Sequence, residues 1–381
     1  MAEGRRQKAE GGRLKADLNR ILIVRLSALG DIVHAMPVLS ALLRQWPAAQ
    51  VDWLVEEAYA PILSLAAGLH RRVIVRGRTG RETADSISFA GALGLARAAV
   101  HLRSQRYDAA LDLQGLIKSA VWARLSGARR VIGFDRAHLR EPYAALLYTE
   151  TVVPQEAPHV IQKNLSILKA LQVESGVLSA GALAKAVSRT DSTAIDLPLN
   201  PIAGASATDA MAAAGGVRRY VVLNPGAAWP NKRWPADRFG ALAVALLERQ
   251  GLRSLVTWGP SERELAAAVC RESSGAAQPA PPTSIADLAV LMRDAALVVS
   301  GDTGPLHIAA AMGAPIVGLY GPTWPERNGP WDPDDEVISR ANACVCHHKR
   351  QCLRGAPCID DIAIGEVIDA AERRLAKARR A

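Results

Sequence analysis

Short apolar runs alternate with amphipathic segments along most of this 381-residue chain. The first run, residues 21–26, is interrupted only by Arg25, and residues 31–46 after it carry apolar side chains at helical spacing. Apolar runs of this length are typical of strands that are buried on both faces of a parallel sheet. Strands that alternate with helices indicate βα units, so the pattern predicts an α/β protein.

The alternation forms two series. The first ends near residue 171, and the second begins at residue 220 after a stretch, 176–217, that is rich in Ala, Ser, Gly and Thr. Two series predict two doubly wound domains, whose ligands bind at the carboxyl ends of the strands and in the cleft between the domains. The expected divisions are a basic, disordered tail (1–19), a first domain (20–190), a linker (191–217), a second domain (218–360) and a basic C-terminal helix (361–381).

The net charge of +9 is concentrated at the two ends of the chain. Residues 1–20 and 372–381 hold most of it, which leaves a nearly neutral body. Such tails favour reversible attachment to an anionic membrane surface over a basic groove for nucleic acid. An aromatic content of 4% also argues against a nucleic-acid binder that stacks bases. The chain lacks an evident secretory signal or membrane span, and its odd cysteine number favours the cytosol.

Two motifs follow predicted strands and could carry chemistry. In the first, Ser27-Ala-Leu-Gly30-Asp31, the aspartate is either a helix N-cap or a general base that faces the cleft. In the second, Ser300-Gly-Asp302-Thr303-Gly304-Pro-Leu-His307, a glycine-flanked turn opens a helix. That turn is either ordinary capping or an anion site suited to a diphosphate.

Two further loops of the second series contain charged residues. Lys232 lies in a Gly/Pro-rich loop, Asn224-Pro-Gly226 onwards, where it is either solvated or within reach of a phosphate. Glu262 and Glu264 follow Trp258-Gly-Pro-Ser, and either could cap a helix or accept hydrogen bonds from sugar hydroxyl groups.

Two clusters remain open to more than one interpretation. The four cysteines at 344, 346, 352 and 358 do not have the spacing of a structural zinc site, so packed thiols or a local disulfide are favoured over a metal. The second cluster is a set of arginines that is either solvated or bound to phosphates and carboxylates. It consists of Arg71, Arg72, Arg76, Arg78 and Arg81.

In combination, residues 21–34 with Asp302-Thr303-Gly304 and His307 resemble glycosyltransferase family 9, the ADP-heptose:lipopolysaccharide heptosyltransferases. Residues 52–57, 112–119 and 140–142 are most similar to the heptosyltransferase I branch. Ala227-Ala228 departs from that branch, which typically has hydroxyl residues there that contact phosphate, and leaves the diphosphate to backbone groups. The cysteine cluster looks more like other branches, including heptosyltransferase II. Transfer of a second heptose or of another sugar therefore stays open.

The resemblance implies a GT-B fold, in which two Rossmann-like domains face each other across a cleft and the last helix crosses back to the first domain. It also implies inverting transfer that needs neither a metal nor another cofactor. Asp31 would deprotonate the acceptor, and Lys232 would neutralise the leaving diphosphate. The implied donor site is Asn224, Gly226, Lys232, Glu262, Asp302, Thr303, Gly304 and His307. The implied acceptor site is Ser27, Gly30, Arg71, Arg72, Arg76, Arg78, Arg81, Gln114, Lys118 and Arg140.

The expected reaction moves heptose from ADP-L-glycero-D-manno-heptose to the Kdo region of lipid A–Kdo during lipopolysaccharide inner-core synthesis. Its expected place is the cytoplasmic face of the inner membrane, where the enzyme would be peripheral. An alternative from a different class is a non-catalytic, Cys/His metal-dependent interaction module on the same scaffold.

Overall fold

Two parallel β-sheets organise the protein. The structure is a computed structural model, and it describes residues 18–76, 86–88, 91–154, 159–171, 220–347 and 349–379. Arg78 and Arg81 lie outside these ranges, as do most of the N-terminal tail and the expected linker. The expected divisions at 190–191 and 217–218 therefore stay predictions.

The first sheet has seven strands, and its central strand is the apolar run at the start of the chain. Residues 21–24 of this strand are fully buried, as expected for a strand covered on both faces. The strands are β1 (Arg20–Val24), β2 (Gln50–Glu56), β3 (Arg71–Arg76), β4 (Ser86–Ser88), β5 (Ala109–Asp112), β6 (Arg130–Phe134) and β7 (Glu150–Val152). Their spatial order is β4-β3-β2-β1-β5-β6-β7.

The helices of this domain differ from the prediction at two places. The helix expected over 31–46 is broken in two, because Pro37 has no N–H group and starts a new helix. The helix expected over 59–69 is a 3₁₀ helix, Glu57–Leu65, with Pro61 inside it. The α-helices are α1 (Leu29–Val33), α2 (Met36–Gln45), α3 (Gly91–Ser104), α4 (Ile117–Leu125) and α5 (Val160–Ser166). Further 3₁₀ helices span Arg136–His138, Pro142–Leu147 and Ile167–Leu171.

The second sheet has six strands in the order β10-β9-β8-β11-β12-β13. This order is that of dinucleotide-binding sheets, so the predicted pair of Rossmann-like, doubly wound domains is confirmed. The strands are β8 (Tyr220–Asn224), β9 (Arg253–Val256), β10 (Ala277–Pro279), β11 (Leu297–Gly301), β12 (Ile316–Tyr320) and β13 (Glu336–Ser339). The helices are α6 (Ala236–Gln250), α7 (Arg263–Glu272), α8 (Ile285–Arg293), α9 (Gly304–Ala311), α10 (Pro325–Asn328) and α11 (Ile364–Ala378).

The two domains touch where α1 packs against α9. Glycines make this close approach possible. A Cβ atom on Gly30 would lie 2.1 Å from Cδ2 of His307, and one on Gly304 would lie 2.5 Å from Cδ2 of Leu29. The helix starts that follow β1 and β11 are therefore brought together across the cleft.

The C-terminal helix does not cross back to the first domain, so that expectation was wrong. Helix α11 packs against α6, β12 and β13 of the second domain. Its apolar stripe, Val367, Ala370, Ala371 and Leu375, belongs to the core of that domain. The spacing of these residues places them on one helix face, and the second sheet offers the complementary apolar surface. Among the described residues, no helix is long and apolar enough to cross a membrane.

A buried ion pair fastens α11 to the second sheet. Nε of Arg374 lies 2.8 Å from Oδ1 of Asp335, and each side chain is at most 5% exposed. Burial raises the pKa of Asp335 to about 7, although Arg374 opposes the shift. Removing one partner of such a pair leaves a buried charge uncompensated.

We expect Arg374→Met to lower the free energy of unfolding by about 3–5 kcal/mol in denaturant titrations near pH 8. The loss should shrink near pH 5.5, because the buried Asp335 can then take up a proton that the unfolded chain binds less tightly. Arg373→Met is the control, since Arg373 is 57% exposed where it pairs with Glu336, and it should cost less than about 1 kcal/mol. Equal losses in the two variants would contradict this role of Arg374.

Candidate active site

Most of the predicted site residues that the structure describes gather at one edge of each sheet. In the first domain, Asp31 follows β1 and Gln114 follows β5; in the second, Asn224 ends β8 and Asp302 follows β11. Because parallel strands all end at the same edge, residues distant in the chain meet there. The contact between α1 and α9 makes the two edges face each other.

Asp31 is held by an arginine that the sequence motifs did not single out. Nη2 of Arg25 lies 2.7 Å from Oδ2 of Asp31, and Nη1 of Arg25 donates to the carbonyl oxygen of Leu113. The same Asp31 oxygen is 3.4 Å from the backbone N of Ala28, a long contact for a capping hydrogen bond. The side chain of Asp31 remains 39% exposed towards the cleft. A lone arginine inside a buried apolar strand was the signal that could have identified Arg25.

A cavity of about 480 Å³ opens beside Asp31. It brings together Asp31, the predicted base, and three of the residues predicted for the acceptor site, Ser27, Gln114 and Arg140. The other polar side chains of its lining were not predicted and come from distant segments. They are Arg25, His138, His159, Lys163, Asn164 and, from the second domain, Arg327.

Cations outnumber carboxylates in this cavity. Burial lowers the pKa of Lys163, and the charges of Arg327 and Arg25 lower it further. Among the described lining residues, Asp31 is the only carboxylate. Like charges crowded into one cavity are stabilised by an anion bound between them, so the cavity suits a ligand with carboxylate or phosphate groups.

In the second domain, Asp302 is the centre of a polar network. Its Oδ2 atom accepts hydrogen bonds from Nζ of Lys232 at 2.5 Å and from Oγ1 of Thr323 at 2.7 Å. Its Oδ1 atom accepts from Nδ2 of Asn328 at 2.7 Å and lies 3.4 Å from Nε2 of His307. Burial disfavours its charge, but the contacts of His307 and Lys232 prevail and keep the pKa of Asp302 well below its usual range. The carboxylate is thus occupied by protein groups and positions the residues around it.

Lys232 is held by two contacts besides the Asp302 carboxylate. Its Nζ atom lies 4.9 Å from the centre of the Trp229 ring and 3.3 Å from the carbonyl oxygen of Asp302. A Cβ atom on Gly301 would lie 2.7 Å from the carbonyl oxygen of Lys232, so only glycine lets this loop come so close to β11. Trp229, Thr323 and Asn328 were not predicted.

The remaining donor-side residues line the same strand ends. Nδ2 of Asn224 donates to Oγ of Ser300 at 3.0 Å and to Oγ1 of Thr303 at 3.2 Å. Glu262 contacts the loop that follows β8, because a Cβ atom on Gly226 would lie 2.1 Å from its Oε2 atom. Glu264 instead is exposed and pairs with Arg271 at 3.1 Å. The position of Glu262 makes it the better candidate for contact with a ligand.

Three histidine rings and one tryptophan meet where the domains touch. The ring of His34 lies 4.4 Å from that of His307, 5.6 Å from that of His159 and 6.0 Å from that of Trp331. Burial lowers the pKa of His34 well below its usual range, and the two neighbouring histidines add to the shift. His34 is therefore neutral at ordinary pH and adds no positive charge of its own to the contact between the domains.

Two of the predicted arginines lie at the wrong edge of the first sheet. Arg71 and Arg72 begin β3, whereas the cleft lies at the carboxyl end of the strands. Arg71 pairs with the buried Asp52 at 2.8 Å, so its role there is structural. Arg76 ends the same strand, about 16 Å further on at about 3.3 Å per residue, and pairs with Glu57. Lys118 is exposed and pairs with Glu56.

The four C-terminal cysteines pack together as free thiols. The Sγ atoms of Cys346 and Cys352 are 3.6 Å apart, and the backbone N of Leu353 donates to Sγ of Cys346 at 2.8 Å. Burial raises the pKa of Cys358 to about 12. In the part of the chain that the structure describes, no group of three or more His, Cys, Asp or Glu side chains is arranged to hold a metal ion. The sequence favoured either packed thiols or a local disulfide, and the structure has packed thiols without a disulfide among these four residues.

Comparison with known proteins decides the family. The sequence model of glycosyltransferase family 9 (heptosyltransferase) matches residues 95–356. The chain belongs to this family. It is therefore a glycosyltransferase, which argues against a non-catalytic interaction module. The lipopolysaccharide heptosyltransferase 1 of Pseudomonas aeruginosa is 30% identical over 336 residues, which cover 87% of each chain.

Solved structures of family 9 proteins share the fold. The Escherichia coli heptosyltransferase WaaC with ADP superposes with a TM-score of 0.66 at 25% identity, and the match covers 95% of this chain and all of that one. A family 9 glycosyl transferase from Veillonella parvula gives a TM-score of 0.75 at 20% identity, over 96% of this chain and 99% of that one. These structures support the GT-B type fold.

We expect Gly30→Ala to reduce the rate of glycosyl transfer by about 10- to 100-fold in steady-state assays, because the added methyl group would displace His307 or separate the domains. The matched control is Gly365→Ala, where a Cβ atom meets nothing within 4 Å and activity should not change. Wild-type activity of the Gly30 variant would show that close approach at this point is not needed for transfer.

Proposed function

We propose that this protein is an inverting heptosyltransferase, which moves heptose from ADP-L-glycero-D-manno-heptose to the Kdo region of lipid A–Kdo. Its similarity to the P. aeruginosa lipopolysaccharide heptosyltransferase 1 and to WaaC, which was solved with ADP, supports this choice of donor and reaction. The acceptor and the position of the new linkage are the finer parts of the proposal.

The observation that carries the proposal is the cationic cavity against Asp31. Arg25, Arg140, Lys163 and Arg327 surround it. A sugar acid such as Kdo carries a carboxylate, and guanidinium groups bind carboxylates through two parallel hydrogen bonds. An acceptor held in this way would present a hydroxyl group to the one carboxylate in the described lining of the cavity.

The chemistry is a single displacement. Asp31 takes the proton of the acceptor hydroxyl, and the freed oxygen attacks the anomeric carbon of the heptose. The bond between that carbon and the diphosphate breaks, and ADP leaves with the bonding electrons. Arg25 orients the Asp31 carboxylate for this step, since its guanidinium is fixed by the carbonyl oxygen of Leu113, directly after β5, and by Asp31 itself.

The second domain would stabilise the charge that develops on the leaving group. Lys232 is positioned by Asp302, and the N-terminus of α9 presents the backbone N–H groups of Thr303 and Gly304. Fixed cations and aligned N–H groups stabilise such charge without having to reorganise. Glu262 and Asn224, at neighbouring strand ends, would contact the nucleoside part of the donor.

The acceptor would determine where the enzyme works. Lipid A–Kdo is anchored in the inner membrane, so transfer would take place at its cytoplasmic face with the enzyme bound peripherally.

The decisive experiment incubates the purified protein with ADP-heptose and one of two acceptors, Kdo–lipid A or the same acceptor already carrying one heptose. Mass spectrometry of the acceptor should show the addition of one heptose to Kdo–lipid A alone. Addition only to the heptosylated acceptor would instead support a heptosyltransferase II-like activity. Failure with both acceptors would refute the proposal.

Asp31→Ala should lower the transfer rate by about 10²- to 10⁴-fold, since the general base is lost, while ADP affinity in calorimetry stays within about twofold.

Lys232→Ala should lower the rate by about 10²- to 10³-fold and also weaken ADP binding.

The control for Asp31 is Asp287→Ala. Asp287 is likewise an acidic residue in the first turn of a helix, and its capping contact with Ser284 lies on α8. If transfer suffers equally in the Asp287 and Asp31 variants, Asp31 contributes only a helix cap and is not the base.

A further inference from the structure

Three large apolar side chains project into solvent beside the acceptor cavity. Tyr143 and Leu146 are 66% and 80% exposed, and Ile117 is 44% exposed. Tyr143 and Leu146 lie three residues apart in the 3₁₀ helix Pro142–Leu147, so they project from the same side of it. Ala144, between them, is fully buried and anchors the opposite side.

Ile117 belongs to the same surface. Helix α4 packs against Pro142–Leu147, and the backbone N of Ile117 donates to Oε2 of Glu141 at 2.7 Å. We call Ile117, Tyr143 and Leu146 the apolar ridge. Exposed apolar side chains are common singly, but three that protrude together from neighbouring elements indicate a contact surface.

Basic side chains flank the apolar ridge. The guanidinium of Arg136 lies 5.6 Å from the centre of the Tyr143 ring, and Arg140 precedes the helix by two residues. Among the described residues, no carboxylate lies within ion-pair distance of Arg136 or Arg140. The carboxylate of Glu141 is engaged by the Ile117 backbone. Apolar side chains flanked by arginines that form no ion pair with a described residue are complementary to an interface of lipid tails below anionic head groups.

The apolar ridge adjoins the cavity. His138, Leu139 and Arg140 line the cavity and lead directly into the 3₁₀ helix that carries Tyr143 and Leu146. Leu116, which immediately precedes Ile117, lines it as well. An acceptor with its sugar in the cavity and its lipid in a membrane would therefore bring the membrane against this ridge.

The C-terminal basic residues, which the sequence suggested as a membrane tail, are already engaged. Arg373 and Lys377 pair with Glu336, and Arg374 pairs with the buried Asp335. Helix α11 therefore presents less free positive charge than its sequence indicates.

A second protein is a poorer match for the apolar ridge than a membrane. Stable protein interfaces bury about 800 Å² on each partner and involve about 20–30 residues a side. The apolar ridge has far fewer residues, two on the 3₁₀ helix and one at the start of α4. The apolar ridge and its surroundings combine an aromatic ring, aliphatic side chains and arginines, which is the composition of an interfacial membrane anchor.

We infer that the apolar ridge, with Arg136 and Arg140 beside it, is the surface through which this protein docks on an anionic lipid bilayer. The inference rests on the proposed function to the extent that a lipid-linked acceptor explains why the docking surface borders the cavity. Docking would place the cavity mouth at the level of the lipid head groups, where the Kdo sugars lie.

The test compares the full-length protein with the double variant Tyr143→Glu/Leu146→Glu in flotation assays with phosphatidylcholine vesicles that contain or lack phosphatidylglycerol. Leu353→Glu is the matched control, because Leu353 is also a highly exposed leucine (72%) and lies in the second domain. Thermal melting should be unchanged in both variants, since the substituted side chains are exposed. High salt, which screens purely electrostatic binding by the tails, separates their contribution from that of the ridge.

We expect the double variant to bind anionic vesicles at least tenfold more weakly than the wild type at high salt, and the Leu353 variant to bind like the wild type. Equal binding of all three proteins would overturn the inference. The inference would also be overturned if the wild type did not bind vesicles and the double variant had a different oligomeric state from the wild type. That result would assign the ridge to a protein contact.

A transfer assay then separates this inference from the proposed function. The double variant should lose at least tenfold in transfer to an acceptor embedded in vesicles, yet match the wild type on a deacylated, water-soluble acceptor. Equal loss on both acceptors would contradict docking. A wild type that transfers to neither acceptor would refute the proposed function, while the vesicle-binding result would still decide the docking surface.

Discussion

The part of the cleft that belongs to the second domain depends on one buried carboxylate. Asp302 binds Lys232, Thr323 and Asn328 and lies beside His307, so it joins the ends of several strands and helices of the second domain. A buried charge without partners would be strongly destabilising. Each loop must therefore hold in place the side chain that it donates to Asp302. The same network gives Lys232 a fixed direction, and a fixed cation is what a leaving diphosphate requires.

The first domain uses the same principle on a smaller scale. Arg25 is buried in the sheet and orients Asp31, which stays partly exposed. The two networks come close to each other because Gly30 and Gly304 have no side chains where α1 meets α9. The neutral His34 lies behind this contact and adds no charge that would push the domains apart. Asp31 and Lys232, the proposed base and the proposed partner of the leaving group, thus belong to different domains whose strand ends meet where α1 packs against α9.

Much of this arrangement was predictable from the chain. The alternation of apolar runs and amphipathic segments predicted both sheets, and the rule that ligands bind at the carboxyl ends of parallel strands located Asp31, Lys232 and Asp302. The arginine cluster shows where such reasoning fails. Arg71 and Arg76 are close in sequence, but a strand of six residues carries them to opposite edges of the sheet. Counting residues along that strand would have placed Arg71 and Arg76 at different edges of the sheet.

The sequence by itself determined the α/β class, the two domains, the family and the residues at the strand ends, because each depends on local periodicity or on a short motif. Only the tertiary structure decided that Lys163 and Arg327 join Arg25 around the cavity beside Asp31, since residues so far apart meet only after both sheets have formed and touched. It also decided that α11 stays with the second domain. An amphipathic stripe specifies that a helix must be covered, but the shape and charge of the available surfaces decide which one covers it.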